Sequence, residues 1–486
     1  MTLTFDVHGP TLTGALARLA SIGFSEAGVC RRLGLEDLDD LQLRAIPIYR
    51  QERLQERDAL AAAIELLLLQ GAVPEAELDQ LFARPDQEAL ADAGILQQAD
   101  GSVRALASLY PVGRALVFSD HAWPQMNQTG YATVPRDQVM GIGTDSRWLA
   151  RATLRRPVGS ALDLCCGSGV HALLAAAHAG QATAVDCNPR AARCSAFNAK
   201  AAGLANLETL QGDLYAPLGD RRFGLITCNP PFVPAPAQEV GYRDGGRSGE
   251  EIQRRVVAGL PLHLAEGGTA QLVTELGERD GEPLEDRLRT WLDGAPMAIH
   301  ILRLRTIPAQ AYAIGHGDGD AYADFLDSVG RWAANLRAQG YRRMVSVLLT
   351  FQWSREPWTR VDQAHPPVRD AGPELEALLA AERLARDPGL EDRLRAGRVV
   401  RTGPVALLES RSLGAPAPAT AQARLAGLAM PIEHPLTAME RDLLCCLDGP
   451  AATADLLAAA AKAGVADRMV LDALAALVRK GLVGPA

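Results

Sequence analysis

The spacing of apolar residues divides the chain into a helical beginning, an alternating middle and a helical end. From 1 to about 125 the apolar positions recur at helical spacing. Gln51 to Gln70, rich in Ala, Leu, Glu and Arg, predicts a helix stopped by Gly71. Glu75 to Phe82 and Gln87 to Ala93 predict two more, the latter ended by Gly94. Ile95 to Leu106 then alternates around Asp100-Gly101, as a hairpin does. Three helices and a hairpin make a winged-helix-like pattern, which serves as a DNA reader or as a protein-docking module.

From about Val139 the period changes. Strands are expected at 160–164, 182–186, 207–211, 224–228 and 269–275. Helices are expected between them at 169–179, 190–203 and 250–264. Strand and helix in alternation predict an α/β fold with a parallel sheet covered on both faces. Further strands are expected at 299–304 and 344–351, with a helix over 322–339 between them.

Residues 356–425, rich in Pro, Arg and Ala, read as an irregular connecting segment, with Gly414 to Ala421 a linker. The pattern then resumes. Thr437 and Glu440 form a capping box ahead of a helix to Leu447. Helices over 453–463 and 467–480 and a strand from Gly481 complete a second winged-helix-like pattern. The expected domains are therefore 1–125, 126–355, the connector 356–425, and 426–486.

The chain has 486 residues, too many for one ordinary core, and 48% of them are hydrophobic, enough to fold without disulfides or metals. A net charge of −9 disfavours indiscriminate binding to nucleic acid or acidic membranes but permits a local basic groove. The eight cysteines form no C-x-x-C and read as small buried hydrophobes, with no zinc-ligand spacing. The first residues lack a secretory pattern, and no uncharged apolar run approaches about 18 residues. A reduced, cytoplasmic protein without membrane or metal is expected.

The candidate chemistry lies on four successive strand ends. Asp163-Leu164-Cys165-Cys166-Gly167-Ser168-Gly169 follows the first strand, and its glycines let backbone approach a ligand closely. Such a turn alone is weak evidence. The second strand ends at Asp186, placed to accept from ribose hydroxyls, or merely to cap the helix after Asn188-Pro189. Gly212-Asp213-Leu214 follows the third. Asp213 could accept from an adenine amino group, with Leu214 against the ring. The fourth carries Asn229-Pro230-Pro231-Phe232. An exocyclic amine or amide nitrogen is a poor nucleophile because its lone pair is delocalised. The Asn229 side-chain oxygen and the Pro230 carbonyl can accept from its N–H groups, and Phe232 offers a stacking face. His171 reads as structural. Gly141 to Ser146 suits a loop over the far end of a cofactor, with Thr144 a candidate contact or an ordinary helix cap.

Residues 139–275 resemble the class I S-adenosylmethionine-dependent methyltransferases. Within them they look most like the HemK-like glutamine N5-methyltransferases and their N6-adenine and ribosomal-RNA guanine N2 relatives. The segment Tyr242-Arg243-Asp244-Gly245-Gly246 with Ser248-Gly249 is similar to the Gly-Gly stretch that HemK-like enzymes carry after the catalytic turn. The resemblance implies a Rossmann-like class I methyltransferase sheet with flanking helical, winged-helix-like N- and C-terminal domains, and S-adenosylmethionine as cofactor. It implies cofactor contacts at Gly167, Gly169, Asp186 and Asp213, with Thr144, Asp163, Leu214 and Asn229 beside them. Catalysis would fall to Asn229, Pro230 and Phe232. Two features depart from the HemK-like pattern: Phe232 stands where Tyr is usual, and Cys165-Cys166 replaces the commoner pair.

Phe232 and the winged-helix-like ends favour a nucleic-acid substrate, structured RNA ahead of DNA. The acidic balance and the Tyr242–Gly249 segment favour a glutamine in a translation-related protein. A catalytically inactive binding module is the competing class. Both ends of the chain are expected to wall a cleft over Asn229, or else to serve assembly.

Overall fold

The alternating middle of the chain folds into a mostly parallel sheet. In the computed structural model it comprises α1 (Thr144–Ala152), β1 (Val158–Leu164), α2 (Val170–Ala176), β2 (Ala179–Asp186), α3 (Pro189–Ala201), β3 (Leu207–Gln211) and β4 (Phe223–Cys228). It continues with α4 (Glu251–His263), β5 (Leu264–Glu278), α5 (Leu284–Trp291), β6 (Met297–Pro308), α6 (Ala309–His316), α7 (Tyr322–Ala338), β7 (Arg343–Trp353) and β8 (Thr359–Gln363). The strand order is β8-β6-β7-β5-β4-β1-β2-β3. Strands β3, β2, β1, β4 and β5 run parallel, and β7 pairs antiparallel with β5.

The structure describes residue 5 and residues 11–42, 45–121, 135–237, 240–319, 321–410 and 420–486. It forms two compact units. The first comprises 1–150, 155–301 and 305–360, the second 151–154, 302–304 and 361–486. Among the described residues no helix is long and apolar enough to cross a membrane, and no group of three or more His, Cys, Asp or Glu could hold a metal ion.

Burial explains the sheet. Ile226 of β4, Leu272 of β5 and Val256 and Leu260 of α4 are fully buried in one core cluster. Truncating such a leucine to alanine costs about 2–5 kcal/mol. Helix α3 starts where local chemistry demands it: Asn188 caps it by accepting from Arg190 N at 2.9 Å, and Pro189 occupies the first turn.

In the first unit the amino-terminal region keeps the expected succession of helices and hairpin. Helices Glu75–Leu81 and Arg84–Asp92 lead into Leu96–Ala99 paired with Ser102–Ala105, and a short strand, Ala72–Pro74, joins that sheet. The long helix expected over 51–70 is broken. One helix ends at Glu52, and another starts after Asp58, whose carboxylate caps it by accepting from Ala61 N at 2.8 Å. A second hairpin, Ser108–Val112 with Ala115–Ser119, is pinned to the sheet's own helix. Phe118 N donates to Asn198 Oδ1 at 2.9 Å, while Asn198 Nδ2 donates to Phe118 O at 2.8 Å and Ser168 O at 2.9 Å.

The second unit corrects the expected connector. Residues 356–425 are not irregular: they contain helices Gly372–Ala385 and Leu390–Ala396 and strands Arg398–Arg401, Val405–Ser410 and Thr420–Leu425. The supposed linker is largely 414–419, which lies outside the described residues; Thr420 and Ala421 begin a strand paired with Ser410 and Glu409. Nor does a domain begin at 426. Leu390, Leu394 and Val399 are buried in the same core as Val470, Leu474 and Leu477, and Arg398–Arg401 pairs with Val483–Pro485. The capping box at Thr437 and Glu440 is present, both bonds formed. The cysteines are also more varied than expected: Cys187, Cys445 and Cys446 are exposed.

Candidate active site at the strand ends

The register aligns the carboxyl ends of four strands. Leu164 of β1 pairs with Cys228 of β4 and with Val185 of β2, and Asp186 pairs with Gln211 of β3. Past this edge lies a cavity of about 330 Å³. Gly167, Asp186, Asp213, Leu214, Asn229, Pro230 and Phe232 all line it, as do Asp145, Ser146 and His171.

Asn229 is held from behind. Its Nδ2 donates to Asp145 Oδ2 at 3.0 Å and to Ser146 Oγ at 3.1 Å. A carboxylate only accepts, so these bonds fix which end of the amide is nitrogen. The other end, Oδ1, is buried and has no hydrogen-bond partner. A buried unmet acceptor is costly, and a ligand N–H relieves that cost.

The Asn-Pro-Pro-Phe turn is fixed by backbone. Val233 N donates to Arg243 O at 3.0 Å, and Gly245 N returns a bond to Val233 O at 3.0 Å. Ala235 N donates to Gly246 O at 3.1 Å. Gly249, at φ +75°, approaches so closely that a Cβ there would lie 2.4 Å from Phe232 O. Only glycine meets both demands. The Tyr242–Gly249 segment is therefore a buttress for the turn. Arg243 also crosses the Trp332 ring at 5.6 Å and pairs with buried Asp244 at 2.6 Å.

The wall before α1 is held by the amino-terminal region. Asp120 Oδ2 accepts from Val139 N at 2.8 Å, and Ser119 Oγ donates to Met140 O at 2.7 Å. Asp120 is also in a buried ion pair with Arg190. Arg147, on the first turns of α1, donates to Asp39 Oδ1 at 3.2 Å and to Ile142 O at 3.0 Å. Among the described residues, 1–125 do not themselves line the cavity. They position the loop that does.

The expected cofactor residues fall into two groups. Gly167 N donates to Asp186 Oδ2 at 2.8 Å, and Asp186 Oδ1 accepts from Asn188 N at 2.8 Å. Each carboxylate oxygen keeps a free acceptor direction, as a ribose diol requires. Burial raises the Asp186 carboxyl above its ordinary value against the pull of those two bonds. Asp213 reaches the cavity from β3 but is ion-paired with Arg255 at 2.6 Å. Leu214 is buried beside it.

Thr144, Asp163 and Gly169 stand outside the lining. Thr144 begins α1, and its neighbours Asp145 and Ser146 face the cavity instead. Asp163 lies behind the loop, accepting from Ala172 N at 3.1 Å and from Thr227 Oγ1 at 3.1 Å. Gly169 serves packing: at φ +82°, a Cβ would lie 2.3 Å from Ser195 Oγ. Cys165 lines the cavity as a thiol; a hydrogen bond with Cys228 and then burial push its pKa well up. Asp145 and Ser146 carried no sequence signal beyond their place in the Gly141–Ser146 loop.

The lining fits S-adenosylmethionine: Asp186 would hold the ribose, and Asp213 and Leu214 the base, beside an open backbone turn at Gly167. Comparison with known proteins agrees. Residues 141–290 match the methyltransferase small domain, and residues 21–106 match a domain of unknown function (DUF7059). The ribosomal protein uL3 glutamine methyltransferase of Bradyrhizobium diazoefficiens is 40% identical over 148 residues, 27% of this chain and 46% of that protein. Its namesake from Bordetella pertussis is 37% identical over 163 residues, 30% of this chain and 54% of that protein. The release factor glutamine methyltransferase of Geobacter sulfurreducens is 34% identical over 149 residues, 27% of this chain and 51% of that protein. The chain spans about half the length of these curated relatives. Residues 141–290 form a methyltransferase domain of the class I S-adenosylmethionine-dependent kind, similar in sequence to the HemK-like glutamine methyltransferases.

Proposed function

We propose that this protein transfers a methyl group to the side-chain amide nitrogen of a glutamine in a translation-related protein. One observation carries the reading: the buried, unpartnered Asn229 Oδ1 on the cavity wall. A primary amide presents two N–H groups. One meets Asn229 Oδ1 and the other the Pro230 carbonyl. Held by both, the nitrogen is positioned without a strong base, and its lone pair is freed as it pyramidalises. When bound, the cofactor supplies the electrophilic methyl group and is left as its thioether, S-adenosylhomocysteine, while the amide nitrogen gives up one N–H proton to solvent. Phe232 bounds the slot with an apolar face.

Charge and relatives favour this substrate over the nucleic acid that Phe232 first suggested. The helix that would read a groove, Arg84–Asp92, carries Asp86, Glu88 and Asp92 against the single Arg84. Phosphate contact needs the opposite balance. The relatives above are named as glutamine methyltransferases. The test is transfer of labelled methyl from S-adenosylmethionine to cell extract, followed by nuclease or protease. Label should resist nuclease, be lost to protease, and yield N5-methylglutamine on digestion. Nuclease-sensitive label would return the nucleic-acid reading to first place.

A further inference from the structure

A second unmet group on the cavity wall is unused by the scheme above. His171, in the first turn of α2, is 5% exposed and lines the cavity, and neither ring nitrogen has a hydrogen-bond partner. Burial, reinforced by the positive charge of Arg155, lowers its pKa to about 3, so the free ring is neutral. A neutral imidazole carries one N–H donor and one acceptor. An apolar wall that needed only bulk here would be served by leucine.

Strand order says which part of a ligand passes this ring. Along the carboxyl edge, β3, β2, β1 and β4 follow one another. Asp213 and Leu214 follow β3, Asp186 ends β2, and Asn229 follows β4. A nucleoside with its base at β3 and its ribose at β2 directs its 5′ substituent across β1 toward β4. His171 stands on the helix that leaves β1. In S-adenosylmethionine that substituent is an amino-acid arm ending in a carboxylate.

We propose that His171 donates a hydrogen bond to the α-carboxylate of the cofactor, and so selects ligands that keep the amino-acid arm. The field of Arg155, felt at the same ring, favours an anion there. The proposal rests on the cofactor assignment.

Two nucleosides separate the possibilities: S-adenosylhomocysteine, which keeps the arm, and 5′-methylthioadenosine, which lacks it. Calorimetric titration of the wild type, H171L and H171Q with each is the test. H171L should weaken S-adenosylhomocysteine about tenfold and leave methylthioadenosine within about twofold. H171Q keeps a donor and should recover most of the loss. Unchanged affinity for S-adenosylhomocysteine, or an equal loss for both ligands, overturns the proposal. If melting shows that H171L is unfolded, the imidazole signals of wild-type His171 decide. They should shift with S-adenosylhomocysteine and not with methylthioadenosine; the same response to both overturns it. A wild type that binds neither nucleoside rejects the cofactor assignment and this role together, whereas binding of both without discrimination by His171 rejects this role alone.

Discussion

The turns after β4 and β3 bring polar side chains to the same cavity under opposite conditions. Asn229 is pinned by two hydrogen bonds from its own amide and buttressed by the Gly245–Gly249 backbone, so its free oxygen points one way at no further ordering cost. Asp213 is 60% exposed, and its partner Arg255 is 49% exposed. Water competes for both, and such a pair contributes little. Asp186 lies between these extremes, half-buried and held by two backbone N–H groups. The lesson is about placement of rigidity: the cavity wall is most ordered around Asn229 and least around Asp213, which solvent reaches.

The largest expected effect lies at the rigid end. Asn229→Ala should lower kcat by about 100-fold or more, the scale of losing one preorganised hydrogen-bonding group. Cofactor affinity should change by no more than about threefold, since no cofactor bond is assigned to the amide oxygen. Labelled-methyl turnover and calorimetry measure the two separately. A variant with near-normal turnover would end the view of Asn229 as the amide's anchor. Next comes Asp186→Ala, which should weaken S-adenosylmethionine by about 1–3 kcal/mol, as a charge-assisted bond to a hydroxyl requires. A smaller loss than that of Asp213→Ala would reverse the ranking by burial.

Asp163 sharpens the comparison from behind the loop. Burial raises its carboxyl well above the usual range, despite bonds from Ala172 and Thr227. The folded state therefore holds this proton more tightly than the unfolded chain, whose Asp titrates at about 3.9. Stability should fall as pH rises from about 4 through the elevated folded value, by at most about 1.4 kcal/mol per pH unit. Asp163→Asn keeps an acceptor for Ala172 N and offers Thr227 a donor. Its melting temperature should vary less over that interval, with the difference moving in its favour as pH rises. The other raised acids Glu65 and Glu275 act alike in both proteins and cancel in the difference, while Asp186, whose charge adds to the rise at Asp163, contributes through that coupling. Parallel pH curves would show that Asp163 does not carry this proton.

What the sequence disclosed divides along similar lines. The strands and the turns that end them were legible because a buried parallel strand is a short apolar run closed by Gly, Asp or Pro, and each signal is local. The pocket residues Asp186, Asp213 and Asn229 came with those turns. Asp145 and Ser146 did not, because their role is a contact with Asn229 across 84 and 83 residues. The unpartnered nitrogens of His171 were not legible either, because an isolated histidine on a helix does not say whether its ring finds partners. The span 356–425 was misread for a related reason. Its Pro and Arg content suggested a connector, while Leu390, Leu394 and Val399 reveal their burial only against helix Asp467–Arg479 and the rest of that core.

The smallest effect belongs to the solvent-facing end and tests whether exposure alone sets the ranking. Asp213→Ala should weaken S-adenosylmethionine by less than about 1 kcal/mol, because the carboxylate is hydrated and already committed to Arg255. Raising the salt concentration should shrink even that loss, since an exposed pair is screened. Asp186→Ala should show less salt response, its partners being neutral, half-buried backbone N–H groups rather than an exposed charge. Affinities of both variants at low and high salt, set against the wild type, make the check. If Asp213→Ala costs as much as Asp186→Ala and salt leaves both losses unchanged, the base edge is held by a desolvated carboxylate after all. Arg255 would then have to release Asp213 on binding, and Arg255→Ala should tighten the cofactor rather than leave it unaltered.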